Sequence, residues 1–402
     1  MPKIIASLFS GCGGLDLGFT GGFNFRGTDC HRLDTTVAFA NDFDQDAWAC
    51  YNNNELLTAD GVESRLGDIR QIPSNEIPDF DILLAGFPCQ PFSNAGNRKG
   101  VNDDNGRGTL FEECERIIRD KIANDHRPQA FVFENVRGIL SSKMQDGVTT
   151  VPDEITRRME QLGYLVSMRL LCSSDYGVPQ KRYRVLIIGI DRELGIGAFN
   201  FDSLEEVIHQ HNIPSEHYGH DEELLLGRIL QGVDEQADNI VWEYSATTQR
   251  TVDLIGGCEH GADAMNLFVD GYHKEDLPAI VFEGRSWKNI PYDLLTPRFK
   301  KIADDPKKYH APKFFRRFAY GEINGTITAS AQPENCGVTH PVENRRYSVR
   351  ECARIQSFPD NYYFGNIPLQ SQYKVIGNAV PPVMGWVIAK ALLNHLPQEN
   401  HD

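Results

Sequence analysis

"IIASLFSGCGGLDLGF", residues 4–19, runs from an apolar segment into Gly11, Gly13 and Gly14 and then into an apparent helix. Strand, glycine bend and helix in that order open an α/β sheet. Glycines at such a bend let the backbone approach a ligand closely, and the helix N-terminus supplies unpaired N–H donors. The spacing G-x-G-G is not the dinucleotide fingerprint G-x-G-x-x-G, so a nucleotide, a nicotinamide dinucleotide or tight packing all fit the bend alone.

Outward from this unit, short apolar runs recur at Thr36 to Ala40, Phe80 to Ala85, Ala130 to Phe133 and Arg184 to Ile190. The segments between them are amphipathic or turn-rich. Leu110 to Ile122, with Leu110, Phe111, Cys114, Ile117 and Ile118 apolar, has helical spacing. This alternation predicts an α/β, doubly wound domain with a mostly parallel sheet. Beyond Asp191 the pattern gives way to an acidic stretch (Asp202 to Glu235), a glycine-containing region and "RFKKIADDPKKYHAPKFFRR", residues 298–317. A second, smaller domain of irregular structure is expected there. "YKVIGNAVPPVMGWVIAKALLNHL", residues 373–396, predicts a turn followed by an apolar core helix from about Val383.

A chain of 402 residues exceeds the size at which one core usually keeps growing, in line with two domains. With 41% hydrophobic and 24% charged residues it has the composition of an ordinary globular protein. Nine cysteines without a C-x-x-C pair or metal-type Cys/His spacing argue against a disulfide framework or structural zinc. No metal is expected, and a reducing, cytoplasmic compartment is. Ser7 and Ser10 interrupt the N-terminal apolar run and no run reaches membrane-spanning length, so neither a signal peptide nor a membrane partner is expected. Forty basic against 56 acidic residues leave a formal charge of -16, which opposes general attraction to nucleic acid. A nucleic-acid site must then be a local basic patch. Residues 298–317, with eight Lys or Arg against two Asp, supply a candidate, while a solvated charge run is the plainer reading.

Several chemistry-bearing residues fall at the ends of the strand candidates. Cys89 follows "DILLAGFP", where a thiol is either a nucleophile or packing. Asp42 ends "FAND" and has the place of a ribose-binding carboxylate, and Asp68 is a further loop carboxylate near the same edge. A ligand with an adenosine but no phosphates suits such carboxylates. Glu134 ends "QAFVFE", either as a site carboxylate or as a helix cap. Gln180, Arg182 and Arg184 alternate entering a strand, which points them to one face.

Taken together, "LFSGCGGLDLGF", "DILLAGFPCQPFS", "FENV", "QKRYR", "RRYSVRECARIQSFP" and "YKVIGNAVPP" resemble, in order, the blocks of the DNA (cytosine-5) methyltransferases of the bacterial restriction-modification type. Only about 195 to 320 lacks a match, where that family holds its variable target-recognition region. The resemblance implies an S-adenosylmethionine-dependent methyltransferase domain with a smaller target-recognition domain. The corresponding division is 1–192 catalytic and cofactor-binding, 193–355 target-recognition, and 356–402 returning to the catalytic domain.

It further implies that Phe9, Gly11 and Gly13 border S-adenosyl-L-methionine, Asp42 binds its ribose, Phe43 faces the adenine and Asp68 contacts the adenine amino group, with Leu110 and Asn378 at further pocket positions. The family commonly has Glu where Asp42 stands. Cys89 would be the nucleophile on carbon 6 of a flipped cytosine, Glu134 would act on ring nitrogen 3, and Arg184 would hold the base oxygen with Arg182 beside it. Ser93 to Arg107 matches the family's mobile catalytic loop. Expected duplex-DNA contacts are Gln90, Ser93, Arg98, Lys99, Arg107, Gln180, Lys313, Arg316 and Arg317. The protein is expected to act as a monomer, with a possible cognate restriction endonuclease on the same site but without obligatory contact. A tRNA-methylating relative uses the same chemistry, a catalytically silent DNA-binding homologue would lack Cys89, Glu134 or Arg184, and a nicotinamide oxidoreductase would need the absent fingerprint.

Overall fold

In the computed structural model the structure describes residues 1–88, 110–144, 146–236, 238–256, 284–305 and 315–397. Seven strands make the main sheet: β1 (Lys3–Leu8), β2 (Thr35–Asp42), β3 (Ser64–Leu66), β4 (Ile82–Ala85), β5 (Ala130–Val136), β6 (Tyr164–Cys172) and β7 (Tyr183–Asp191). Their order across the sheet is β3-β2-β1-β4-β5-β7-β6. The first five pair in parallel, whereas β7 runs against both β5 and β6. The expected mostly parallel sheet therefore carries one reversed strand. The chain order switches at β1, between β2 and β4, which opens a crevice beyond the carboxyl ends of these strands.

Side-chain alternation puts apolar residues on both faces. Ile5, Ile82, Leu84, Val132, Leu186 and Ile188 enter one buried cluster, and Ala6, Leu8, Leu83, Phe131, Phe133, Val185 and Ile187 enter another. Helix α1 (Gly14–Thr20) and α2 (Gln45–Asn52) join the first cluster, while α3 (Leu110–Ala123) and α4 (Val151–Gln161) join the second. All five apolar residues read as the face of α3 are buried there.

The C-terminal blocks return to the first cluster. Helix α5 (Ser203–His211) turns Leu204, Val207 and Ile208 inward, so the acidic stretch hides a core face. Helix α6 (Val349–Ile355) is wholly buried and opens with a Ser348/Glu351 capping box; Arg350 pairs with Asp238 at 2.6 Å and Arg354 with Asp360 at 2.7 Å. Tyr373 to Asn378, expected as a turn, is instead the last part of α7 (Leu369–Asn378), and the bend is confined to Ala379, Val380 and Pro381 before α8 (Pro382–His395). Contrary to the expectation that no run reaches membrane-spanning length, the helical stretch 369–395 is long and apolar enough by length and composition, but it is mostly buried inside the protein, as a core helix is. Gly18 of α1 lies against Gly385 of α8 so closely that an added methyl would be 2.7 Å from the Gly385 Cα. A separate small cluster of Val252, Ile255, Trp287, Ile290, Leu295, Phe299 and Phe315 forms within the expected target-recognition span. In that same span, residues such as Phe199, Leu226, Ile327 and Cys352 belong to the first cluster.

Candidate active site

The crevice holds a cavity of about 460 Å³, within the range of small-molecule sites. Its wall is built by the chain leaving β1, β2, β4 and β5, closed on the far side by Lys374, Val375 and Asn378 to Val380. The glycine bend works by backbone geometry: Gly11 has φ +58°, and its N–H donates to the Asp42 carboxylate at 2.8 Å. The other Asp42 oxygen accepts from the Asp44 backbone at 2.8 Å. Burial pushes the Asp42 carboxyl above its ordinary range, against those backbone donors. Phe43 beside it is 67% exposed and lines the cavity, as a stacking surface would. Asp44 caps α2 and pairs with Lys374, which ties the last helices to this edge.

At the opposite end, Glu134 on β5 and Arg184 on β7 form an ion pair, Oε1 to Nε 2.5 Å, with both side chains 12% exposed. The antiparallel register sets Glu134 opposite Leu186 and Val136 opposite Arg184, so the two reach each other diagonally on one face. Burial lowers the Arg184 pKa while Glu134 opposes that shift. The Arg184 Nη1 donates to its neighbour's carbonyl, at Tyr183, 2.8 Å away. Asn135 donates from Nδ2 to the Phe87 carbonyl at 3.2 Å, which fastens the segment leading to Cys89. Pro88 is the last described residue before Cys89 and lines the cavity with Glu134.

Phe9, Gly11, Asp42, Phe43, Glu134, Arg182, Arg184 and Asn378 thus border one cavity. Gly13 does not; it bends the chain at φ +79° against Leu57 and Tyr51. Leu110 is buried in the core under α3. Asp68 lies outside the wall, one residue beyond Gly67, whose N–H bonds the Asp42 carbonyl; it is held by Arg70 at 2.6 Å, and that contact lowers its pKa. Cys89, Gln90, Ser93, Arg98, Lys99, Arg107 and Lys313 lie outside the described residues.

Three of the expected contact residues are buried in this structure. Gln180 is fully buried: its amide donates to Gln356 and to the Ile355 carbonyl and accepts from the Ile327 N–H at 2.8 Å, so it holds the fold and has no surface for DNA. Arg182 is 1% exposed and spends its guanidinium on the Ile327 and Gly377 carbonyls, each at 2.9 Å. It borders the cavity beside Arg184 and ties the Ile327 and Gly377 segments to it. Arg317 is likewise buried, on the Glu343 carbonyl and Asn344, and has no face for a phosphate. Arg316, a third exposed, pairs with Glu322 and stacks on Phe318.

Sequence reasoning passed over Ser7, Asp16, Asn135 and Lys374, which also line the cavity. The signal for Asp16 was an acidic residue within an otherwise apolar helix; the other three carried none beyond their neighbours.

A family model described as C-5 cytosine-specific DNA methylase matches residues 4–394. The chain is 30% identical over 394 residues to the type II methyltransferase M.FnuDI of Fusobacterium nucleatum, covering 96% of this chain and 93% of that one. It is 32% identical over 395 residues to M.NgoFVII of Neisseria gonorrhoeae, covering 98% and 86%. Among solved structures, a putative DNA modification methyltransferase encoded within an E. coli prophage superposes with a TM-score of 0.58 at 21% identity, covering 98% of this chain and 99% of that one. The Dnmt2 methyltransferase of S. pombe gives 0.56 at 15% identity, with coverage of 98% and 99%. At these identities the structural likeness speaks for the fold alone.

Proposed function

The chain belongs to the C-5 cytosine-specific DNA methylase family and is a DNA methyltransferase; from that premise we propose which residues carry the reaction. The observation that carries the assignment is the Glu134–Arg184 pair, which faces the same cavity as the glycine bend and Pro88, the residue before Cys89.

The cavity suits S-adenosyl-L-methionine. Among the described residues it has an exposed aromatic face at Phe43, a carboxylate at Asp42 for a diol, cations already held by Asp44, Glu134 and backbone carbonyls, and Asn378 on the far wall. The bound cofactor supplies a methyl group on a sulfonium. Carbon 5 of cytosine is too weak a nucleophile to take that methyl unaided. Attack of the Cys89 thiolate on carbon 6 forms an S–C6 bond and moves the ring's electron pair toward carbon 5, the atom that would take the methyl group a bound cofactor would supply. The Glu134 carboxyl, carrying a proton in this step, donates it toward ring nitrogen 3 as charge gathers there, and Arg184 steers it while keeping N–H groups for the base oxygen. Loss of the carbon 5 proton and cleavage of the S–C6 bond release the product and the thiolate.

Stacked in a duplex the base is out of reach, so it must be flipped, at a cost of a few kcal/mol. We assign that work to the segment Ser93 to Arg107 and to the span around the small cluster, where base-edge readout sets the target sequence. In this reading a cognate restriction endonuclease would act on the same target without obligatory contact, and the protein works as a cytoplasmic monomer. Bisulfite sequencing of plasmid DNA from cells expressing the protein tests the activity: one sequence context should become resistant to conversion at a single cytosine. Full conversion throughout the plasmid overturns it.

A further inference from the structure

Four carboxylates and three cationic side chains line the cavity among the described residues: Asp16, Asp42, Asp44 and Glu134 against Arg182, Arg184 and Lys374. The cations are accounted for. Lys374 pairs with Asp44, Arg184 with Glu134, and Arg182 donates to backbone carbonyls. That leaves Asp16 and Asp42 without a cation among the described residues. Asp42 has a partial remedy in two backbone N–H donors.

Asp16 has less. It projects from α1 and is 0% exposed; one oxygen accepts from Ser7 Oγ at 2.6 Å and the other from the Tyr51 hydroxyl at 2.9 Å. Both donors are neutral, and Ser7, which ends its hydrogen bond on Asp16, lines the cavity beside it. A buried carboxylate served by two hydroxyls and its own backbone N–H, all neutral, costs folding free energy unless something cationic arrives. An amide of the same shape carries no charge, and its NH2 would donate to one of the two hydroxyl oxygens after that hydroxyl turns. The site therefore carries a negative charge that its own fold does not use.

We propose that Asp16 is the buried countercharge for the α-ammonium of the methionine end of the cofactor, acting across Ser7. The proposal rests on the cofactor reading above. Three charges have to be placed when S-adenosyl-L-methionine binds: the sulfonium, the ammonium and the carboxylate. Asp42 sits at the Gly11 and Phe43 edge, which the nucleoside occupies in this reading, so the second uncompensated carboxylate falls to the amino-acid end. Asp16 does not touch the reacting atoms. It selects for the cationic group and orients it by attraction through a low-dielectric wall.

Calorimetric titration of the full-length protein and of Asp16→Asn with three ligands tests this. S-adenosyl-L-methionine has both cations, S-adenosyl-L-homocysteine has the ammonium but a neutral sulfur, and 5′-methylthioadenosine has neither. Asp16→Asn should weaken the first two alike, by roughly tenfold or more, and leave the third unchanged, which also reports that the pocket is intact. Tyr51→Phe, which removes a hydroxyl but no charge, should shift the first two less. A loss for S-adenosyl-L-methionine alone would assign the charge to the sulfonium and overturn the proposal. Equal losses for all three, or no loss, would make Asp16 structural and overturn it too. If the wild-type protein bound none of them, the cofactor reading itself would fail, which is a different result.

Discussion

Asp16 also makes a prediction in the free protein. Burial raises its carboxyl from 3.8 to about 6, while the Ser7 and Tyr51 hydrogen bonds work the other way. A carboxyl whose folded pKa is raised favours folding in its protonated form. That contribution is present below about pH 4 and is lost as pH rises through about 6. Asp16→Asn, which does not titrate, should gain on the wild type across this window by about 3 kcal/mol. Denaturant unfolding at pH 4 and pH 7.5 reads the difference, and an equal gap at both would show that the buried charge is not costly. At this scale the sequence was a partial guide. Asp42, Glu134 and Arg184 reach the cavity as their strand-end positions implied. Gln180 and Arg317 were read as DNA contacts, and Arg182 as a site residue beside Arg184, and all three are buried. Their burial depends on carbonyls and amides brought from far along the chain, at Ile327, Ile355, Gly377 and Glu343.

Elements were legible where the apolar period was strong. β1, β2, β4, β5 and β7 fall on the runs that predicted them, and α3 on its helical spacing. The reversal of β7 was not legible, because an alternating pattern carries no direction. β6 escaped notice because much of it is only partly buried at the sheet edge, and β3 is three residues long. The helical state of Tyr373 to Asn378 was hidden by "GN" and the prolines after it, which read as a turn. Gly377 is there for contact: a methyl on it would lie 2.4 Å from the Thr328 carbonyl carbon and 2.5 Å from the Ala329 nitrogen. Because both are backbone atoms, Gly377→Ala must push α7 away from that segment. It should cost about 1–3 kcal/mol of stability and weaken cofactor binding through the adjacent Asn378. An unchanged denaturation midpoint would mean that the backbone yields freely.

Over the whole molecule, the proposed reaction draws on parts that no single element holds: the cavity at the sheet's switch point, Glu134 and Arg184 from neighbouring antiparallel strands, Cys89 following β4 in the sequence, and a flipped base. Net acidity of -16 leaves duplex binding to local groups, so DNA affinity should be modest and the covalent step should report the assembled site better than binding does. A duplex with fluorine on carbon 5 of the target cytosine separates the steps. Cys89 can add and the methyl group can transfer, but completion would require fluorine to leave as a cation, so the S–C6 bond persists. Wild-type protein with S-adenosyl-L-methionine and this duplex should give a complex that survives denaturing electrophoresis. Cys89→Ser should give none, since an alcohol has far less access to its anion than a thiol. Equal trapping by Cys89→Ser, or no trapping by a wild-type protein that methylates the unfluorinated duplex, would contradict the account.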